Sequence, residues 1–210
     1  MRVAMIVWND LRNDARVRKE AETLQAAGHA VTVFALHSPG QTQARETILN
    51  GVEVVRTPRR PFEKPAKRTG QPMRLGRAAL LTRAVLRSWT HAMMLARMVR
   101  SRPDIVHAHD VNTLPTGWLA ARLARAQLVY DAHEISTGRE GYRKLRGLVF
   151  AIERRLMPRA AGTITTTDRR AAFFARAYGV PRPLVLQNRP ARTSVERTGL
   201  LREELGLRRD

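Results

Sequence analysis

Short apolar runs alternate with amphipathic stretches along most of this chain. Residues 2–7 are almost wholly apolar, which suits a strand buried on both faces. Residues 15–27 have helical composition, with Val17, Ala21 and Leu24 on one face. Asn13 and Asp14 stand where a cap belongs, and Gly28 where the helix stops. Residues 31–36 and 52–56 read as the second and third strands. An opening of strand, helix, strand predicts parallel pairing. The Pro-, Lys- and Arg-rich residues 58–72 read as a loop. Residues 75–100 form a long helix, with Leu81, Val85, Trp89, Ala92, Ala96 and Val99 at helical spacing and Arg83, Arg87 and His91 on a separate polar stripe. Further strands are expected at 105–108, 127–131, 163–166 and 184–187, with helices at 114–125, 145–157 and 169–178. Residues 188–198 read as a linker and 200–205 as the start of a short helix. The pattern predicts an α/β, Rossmann-like, doubly wound parallel sheet of about seven strands.

Composition narrows this picture. The 210 residues suffice for one large domain, and 43% are hydrophobic. No apolar run is long enough to span a bilayer. With no cysteine, disulfides and thiolate chemistry are excluded. The net charge is +20, and arginine supplies 34 of the 38 basic residues. From Arg56 to Arg102 there are 13 basic residues and a single acid, Glu63. That segment points to an anionic surface partner; the polar face of its helix is either an ordinary solvated face or one on which Arg77, Arg83 and Arg87 meet membrane head groups. Charge alone also allows a non-catalytic basic module for anionic membrane or nucleic acid. An aromatic content of 5% disfavours a platform for stacking single strands, so nucleic acid is not the expected partner.

Candidate chemistry gathers after the strands. Asp104 to Asp110 reads D-I-V-H-A-H-D, and Leu128 to Glu134 reads L-V-Y-D-A-H-E. Each is a strand-like run ending in a histidine and a carboxylate. In one parallel sheet both pairs emerge at the carboxyl edge, where open α/β sheets bind ligands. His109 is the candidate for direct chemistry, since an imidazole exchanges protons near neutral pH or donates to a sugar hydroxyl. His107 reads as a satisfied core residue. Asp110 and Glu134 either touch substrate or cap the next helices. Asn13, Arg16, His133, Asp168 and Asn188 also fall at strand ends or helix starts on this edge. The two histidine–acid pairs lie on separate loops without a helical His-x-x-x-His register, so no metal is expected. The first turn, Val7 to Asp14, has no glycine, which argues against a G-x-G-x-x-G dinucleotide site.

These segments together resemble the family-four glycosyltransferases of GT-B fold. The resemblance is carried by Asp14 to Ala21 (D-A-R-V-R-K-E-A), Ala27 to Val33 (A-G-H-A-V-T-V), the two histidine segments, Arg159 to Thr167, Tyr178 to Pro181 and Gln187 to Pro190. It implies that residues 1–190 are the amino-terminal, acceptor-side Rossmann-like domain, one half of a GT-B fold. Residues 191–210 would then be an interdomain linker and the start of a carboxyl-terminal donor domain. It implies a retaining enzyme that moves a sugar from a nucleotide-sugar donor to a glycan or lipid-linked acceptor, with no metal or other cofactor. In such enzymes the histidine matching His109 lies near the transferred sugar, and the loops at Asn13 and at His133-Glu134 line the acceptor side. The half-enzyme is expected to be inactive alone and to be cytoplasmic, with peripheral attachment at the inner membrane face.

Overall fold

The computed structural model describes residues 1–59, 77–190 and 204–206. Eight strands form one sheet: β1 (Arg2–Ile6), β2 (Ala30–Leu36), β3 (Arg45–Ile48), β4 (Val52–Thr57), β5 (Ile105–His109), β6 (Gln127–Ala132), β7 (Gly162–Thr165) and β8 (Leu184–Val185). Five α-helices accompany them: α1 (Ala15–Ala26), α2 (Arg77–Arg100), α3 (Leu114–Ala124), α4 (Arg146–Leu156) and α5 (Asp168–Tyr178). The spatial order is β3-β4-β2-β1-β5-β6-β7-β8. Every pairing is parallel except β3 with β4. The expected seven-strand sheet thus gains an antiparallel edge strand. β3 is short and polar, R-E-T-I, and carries too little apolar alternation to announce itself.

The winding explains where a site forms. The chain builds outward from β1 through β2 to β4, then returns to the other side of β1 for β5, β6, β7 and β8. The reversal lies between β1 and β5, the position at which doubly wound sheets open a crevice beyond their carboxyl ends. Helix α1 packs Val17 and Ala21 against Val3, Met5, Val31, Val33 and Val54 on one face. On the other face lies the larger core, where Met94 and Met98 of α2, Leu114 and Ala120 of α3, and Phe174 of α5 meet Ile6, Phe34, Val106 and Tyr130. β1 is buried on both faces, as its unbroken apolar run requires.

Local signals held at several ends. The Asp14 side chain caps α1 by accepting from the Val17 amide. Gly179 closes α5 in the left-handed conformation. The glycine-free first turn still needs one left-handed residue, and Leu11 supplies it at φ 69°. Asn9 Oδ1 accepts from the Leu11 amide at 2.8 Å, and the Leu11 side chain is fully buried, so local bonding and packing together hold that conformation.

Helix α2 departs from the expected orientation. Its buried positions are Thr90, Met94 and Met98, while Leu81 and Val85 stay exposed at 69% and 67%. The periodicity is helical, but tertiary contacts chose a different stripe. The residue 145–157 helix begins with a 3-10 segment, Glu140–Leu145, before α4 proper. The expected loop at 58–72, apart from residues 58 and 59, lies outside the described residues. So do most of the expected linker and of the short helix at 200–205, and the side chain of Arg77.

Candidate functional site

Strand alternation and register build the site. His107 and His109 are two apart on β5 and share a face. Asp131 lies opposite His109 in the β5–β6 register, and His133 follows two residues later. All four side chains rise on the face covered by α1. There Arg16 and Glu20, one helical turn apart, project down onto them. The result is three imidazoles, two carboxylates and a guanidinium in one compact cluster.

Arg16 is its anchor. Its Nε donates to Asp131 Oδ2 at 2.7 Å and its Nη2 to Asp131 Oδ1 at 2.9 Å, a bidentate pair across the buried base of the crevice. Its Nη1 donates to the Leu186 carbonyl, tying α1 to the end of β8. Burial alone would raise the Asp131 pKa, but hydrogen bonds from His109, His133 and Arg16 overcome it and hold the carboxyl far below the ordinary carboxylate range. His133 Nε2 lies 3.2 Å from Asp131 Oδ2, and its Nδ1 lies 3.5 Å from Asp110 Oδ2. Burial would lower the His133 pKa; the Asp131 hydrogen bond and the Asp110 charge raise it instead. For His107 burial dominates, and its pKa falls well below that of a free imidazole. Glu20 is pushed up to about 7, chiefly by burial.

Depth separates the histidines. His109 is 2% exposed, and its ring lies 4.2 Å from that of His107. His109 Nδ1 is 3.3 Å from His133 Nε2. The His133 side chain, at 21% exposure, is the imidazole that meets solvent. Its loop is fixed because the His133 carbonyl accepts from Arg170 and Thr166. Two hollows open there. One of about 450 Å³ is bounded by Asn9, Asn13, Arg16, His133, Thr166 and Asn188. The other, about 230 Å³, is bounded by Trp8, His109, Asp110, Asn112, His133 and Arg139.

The fold therefore brings together His109, Asn13, Arg16, Asp110, His133 and Asn188 of the residues singled out from sequence. Asp110 is not a helix cap. It adopts φ 64° at the strand-to-helix turn and faces His133. Glu134 caps no helix either; it pairs with Arg139 at 2.9 Å beside the smaller hollow. Asp168 lies apart, at the exposed start of α5, paired with Arg182. His107 is buried as expected but not satisfied. Its Nε2 has no hydrogen-bond partner, and neither do the two Glu20 carboxyl oxygens nor His109 Nε2. Glu20 and Asp131 are the site residues that sequence reading missed. The Arg16–Glu20 spacing was the available signal for the first.

The same cluster is where an ion would be held. Glu20, His107, His109 and Asp131 each offer a ligand atom, all within 4.8 Å of one another. Arg16 borders this set, its Nε 2.7 Å from Asp131 Oδ2 and 3.2 Å from Glu20 Oε1, while His107 Nε2, His109 Nε2 and both Glu20 oxygens have no hydrogen-bond partner.

At the upper edge, Trp8 stacks on His91, with ring centroids 4.1 Å apart and planes 4° from parallel. The Arg87 guanidinium lies 4.6 Å over the Trp8 ring and donates to Asn112. Burial and the neighbouring Arg87 charge lower the His91 pKa to about 4.

A doubly wound sheet with a polar crevice at its reversal point defines a Rossmann-like domain of the GT-B type. The chain belongs to the family of glycosyl transferase 4-like domains, which it matches over residues 14–190. Among curated proteins, none matches it in sequence. Sucrose-phosphate synthase from Thermosynechococcus elongatus is similar in fold, with a TM-score of 0.66 and 15% identity over 99% of this chain and 53% of that one. Anabaena HepE, solved in complex with UDP-glucose, gives a TM-score of 0.57 and 18% identity over 98% of this chain and 50% of that one. The chain thus spans about half the length of these structures.

Proposed function

We propose that this chain is the amino-terminal, acceptor-side half of a retaining glycosyltransferase. A second Rossmann-like domain would carry most of a nucleotide-sugar donor and close over the crevice. The observation that carries this reading is the convergence of His133, Asp110, Asn13, Arg16 and Asn188, backed by His109, on one rim of a glycosyltransferase-family domain. Anabaena HepE, similar in fold, was solved with UDP-glucose, which supports a nucleotide-sugar donor here. His133, poised between Asp110 and Asp131, is placed to hydrogen-bond a sugar hydroxyl at the cleft floor. His109 lies directly behind it and orients it through the contact between their ring nitrogens. Asn13 and Asn188 supply neutral donors and acceptors suited to hydroxyl recognition. No metal enters this scheme, since Arg16 supplies the buried positive charge. Alone, the half-enzyme holds few of the groups that orient a reaction and is inactive. The exposed Arg83 supports peripheral attachment to an anionic, cytoplasmic membrane face, whereas Arg87 is turned inward onto Trp8 and Asn112; no helix among the described residues is long and apolar enough to cross a membrane.

The test is reconstitution. The chain is joined to the donor domain of a glycosyltransferase of GT-B fold, and transfer is followed from a panel of nucleotide-sugars. His133→Ala and His109→Ala are each expected to lower kcat by about 10²-fold or more, the scale of a positioned proton-transferring or hydrogen-bonding group. Full turnover in both variants would remove the histidines from the mechanism. Efficient transfer by the 210-residue chain alone would overturn the half-enzyme reading.

A further inference from the structure

A second concavity lies on the outer wall of helices, away from the charged cluster. A groove of about 640 Å³ runs between α2, α3 and α4. Its lining is mostly apolar, including Leu95, Pro115, Leu119, Leu148 and Ile152. At one end it reaches Arg87, Asn112 and Tyr142. Asn112 also bounds the hollow that holds Asp110 and His133, so the groove ends where the candidate site begins.

The apolar surface continues past the groove. Leu81 and Val85 lie one heptad before Ser88 and Ala92 of the groove wall and extend the same stripe of α2 into solvent. On the opposite wall Leu145 and Leu148 are 52% and 57% exposed. Among the described residues five large apolar side chains, Leu81, Val85, Leu119, Leu145 and Leu148, thus stay exposed along one feature, an arrangement that marks a binding surface.

The charge around it is predominantly positive. Helix α2 carries five arginines and no acid. The segment from Arg139 to Arg146 adds Arg139, Arg143, Lys144 and Arg146 against the single Glu140. Arg87 is held at the inner end by Trp8 and Asn112, so its guanidinium is positioned rather than free. An apolar trough with a fixed cation at its inner end complements an aliphatic chain that ends in an anionic group. A partner helix with an acidic end would match the charge less well, because the trough leads inward to a polar pocket.

We propose that this groove takes the aliphatic chain of an anionic lipid and delivers its head group to the rim at Asp110 and His133. The lipid would be the acceptor, and the inference rests on the acceptor-side reading above. Leu81 and Val85 would meet the bilayer surface, with Arg83 at the level of the head groups.

The test uses the 210-residue chain and dodecyl phosphate kept below its micellar concentration, followed by tryptophan fluorescence. One saturable site is expected, with inorganic phosphate binding at least about tenfold more weakly. Leu148→Asn combined with Leu119→Asn should weaken dodecyl phosphate by about tenfold or more. Both leucines are partly exposed, so the fold should survive, which an unchanged circular dichroism spectrum and melting temperature would verify. Arg87→Gln should weaken dodecyl phosphate while leaving neutral dodecyl maltoside unaffected. Equal binding by the wild type and the double asparagine variant would overturn the proposal. So would a dimer in sedimentation that the same variant abolishes without any lipid binding, because the groove would then be a self-association face. The two proposals separate cleanly. If the reconstituted enzyme glycosylates a water-soluble acceptor and dodecyl phosphate does not bind, the groove proposal falls and the enzyme reading stands. If dodecyl phosphate binds and no sugar is transferred, the groove stands as a lipid site, but the enzyme reading falls and with it the lipid's role as acceptor.

Discussion

Asp131 is the residue on which the cluster depends. It is wholly buried, and Arg16, His109 and His133 all lean on it. Removing one partner of a buried pair leaves the other charge uncompensated, which costs about 3–5 kcal/mol. Asp131→Asn should therefore lower the urea-derived stability by that order, with Arg16 as the stranded group. Glu20 behaves differently. Its carboxyl is raised from 4.5 to about 7, so the folded protein holds that proton more tightly than the unfolded chain does. The stability contributed by the protonated form is present at low pH and declines as pH rises from 4.5 through about 7. Glu20→Gln keeps the neutral shape, so it should stabilise the protein at pH 8 and flatten the stability profile between those limits. Urea midpoints across pH give the comparison, and an unchanged slope would mean that Glu20 is ionised in the fold. The candidate site was partly legible at this scale: His109, His133, Asp110, Asn13 and Arg16 were all visible as polar residues following apolar runs. His107 was misread because alternation says only that a side chain is buried, not what shares its burial.

Among the elements, α4 and α3 are held by specific devices. α4 carries Glu153, fully buried, which accepts from Tyr130 at 2.8 Å, Tyr178 at 2.7 Å and Ser136 at 3.3 Å. One carboxylate thereby ties α4 to β6, to α5 and to the turn after β6. Glu153→Ala strands three hydroxyls and opens a cavity, and should cost about 3 kcal/mol or more in denaturant unfolding. α3 lies so close to the sheet that a Cβ on Gly117 would sit 2.8 Å from the Ala108 methyl. Gly117→Ala gains about 1 kcal/mol of helix propensity but must push α3 off β5. The clash should win, giving a net loss of about 1–3 kcal/mol. Most elements were legible because their apolar periodicity is strong. The exceptions are instructive: β3 is recruited by pairing with β4 rather than by its own pattern, and its Glu46 carboxylate meets the buried Arg56 guanidinium at 2.6 Å. The rotation of α2 was likewise decided by which side chains, Met94 and Met98, fit the core.

For the whole molecule, the two sheet faces are unequally covered. Among the described residues α1 alone covers one face, and beyond it a hollow of about 380 Å³ is floored by Ile105, His107, Val129 and Ile164. Four helices share the other face, and they carry the groove. The charge distribution adds a test at this scale. With a net charge of +20, of which residues 56–102 carry +12 (13 basic residues and one acid), attachment to vesicles of phosphatidylglycerol should weaken steeply between 50 and about 500 mM salt as screening sets in, whereas phosphatidylcholine vesicles should not retain the chain. Co-sedimentation measures both. Equal retention on the two lipids would assign the positive charge to solubility alone.

The order of strands and helices, the parallel character of the sheet and the edge at which polar residues gather were determined by the sequence itself. They depend on short-range periodicity and on the fixed hand of strand–helix–strand connections. Only tertiary structure decided which of those polar residues meet. The stagger that sets Asp131 opposite His109, and the roll of α1 that lowers Arg16 and Glu20 onto them, arise from packing between segments far apart in sequence, 115 residues in the case of Arg16 and Asp131. Local pattern fixes each side chain's face, but proximity across the sheet is a property of the assembled core.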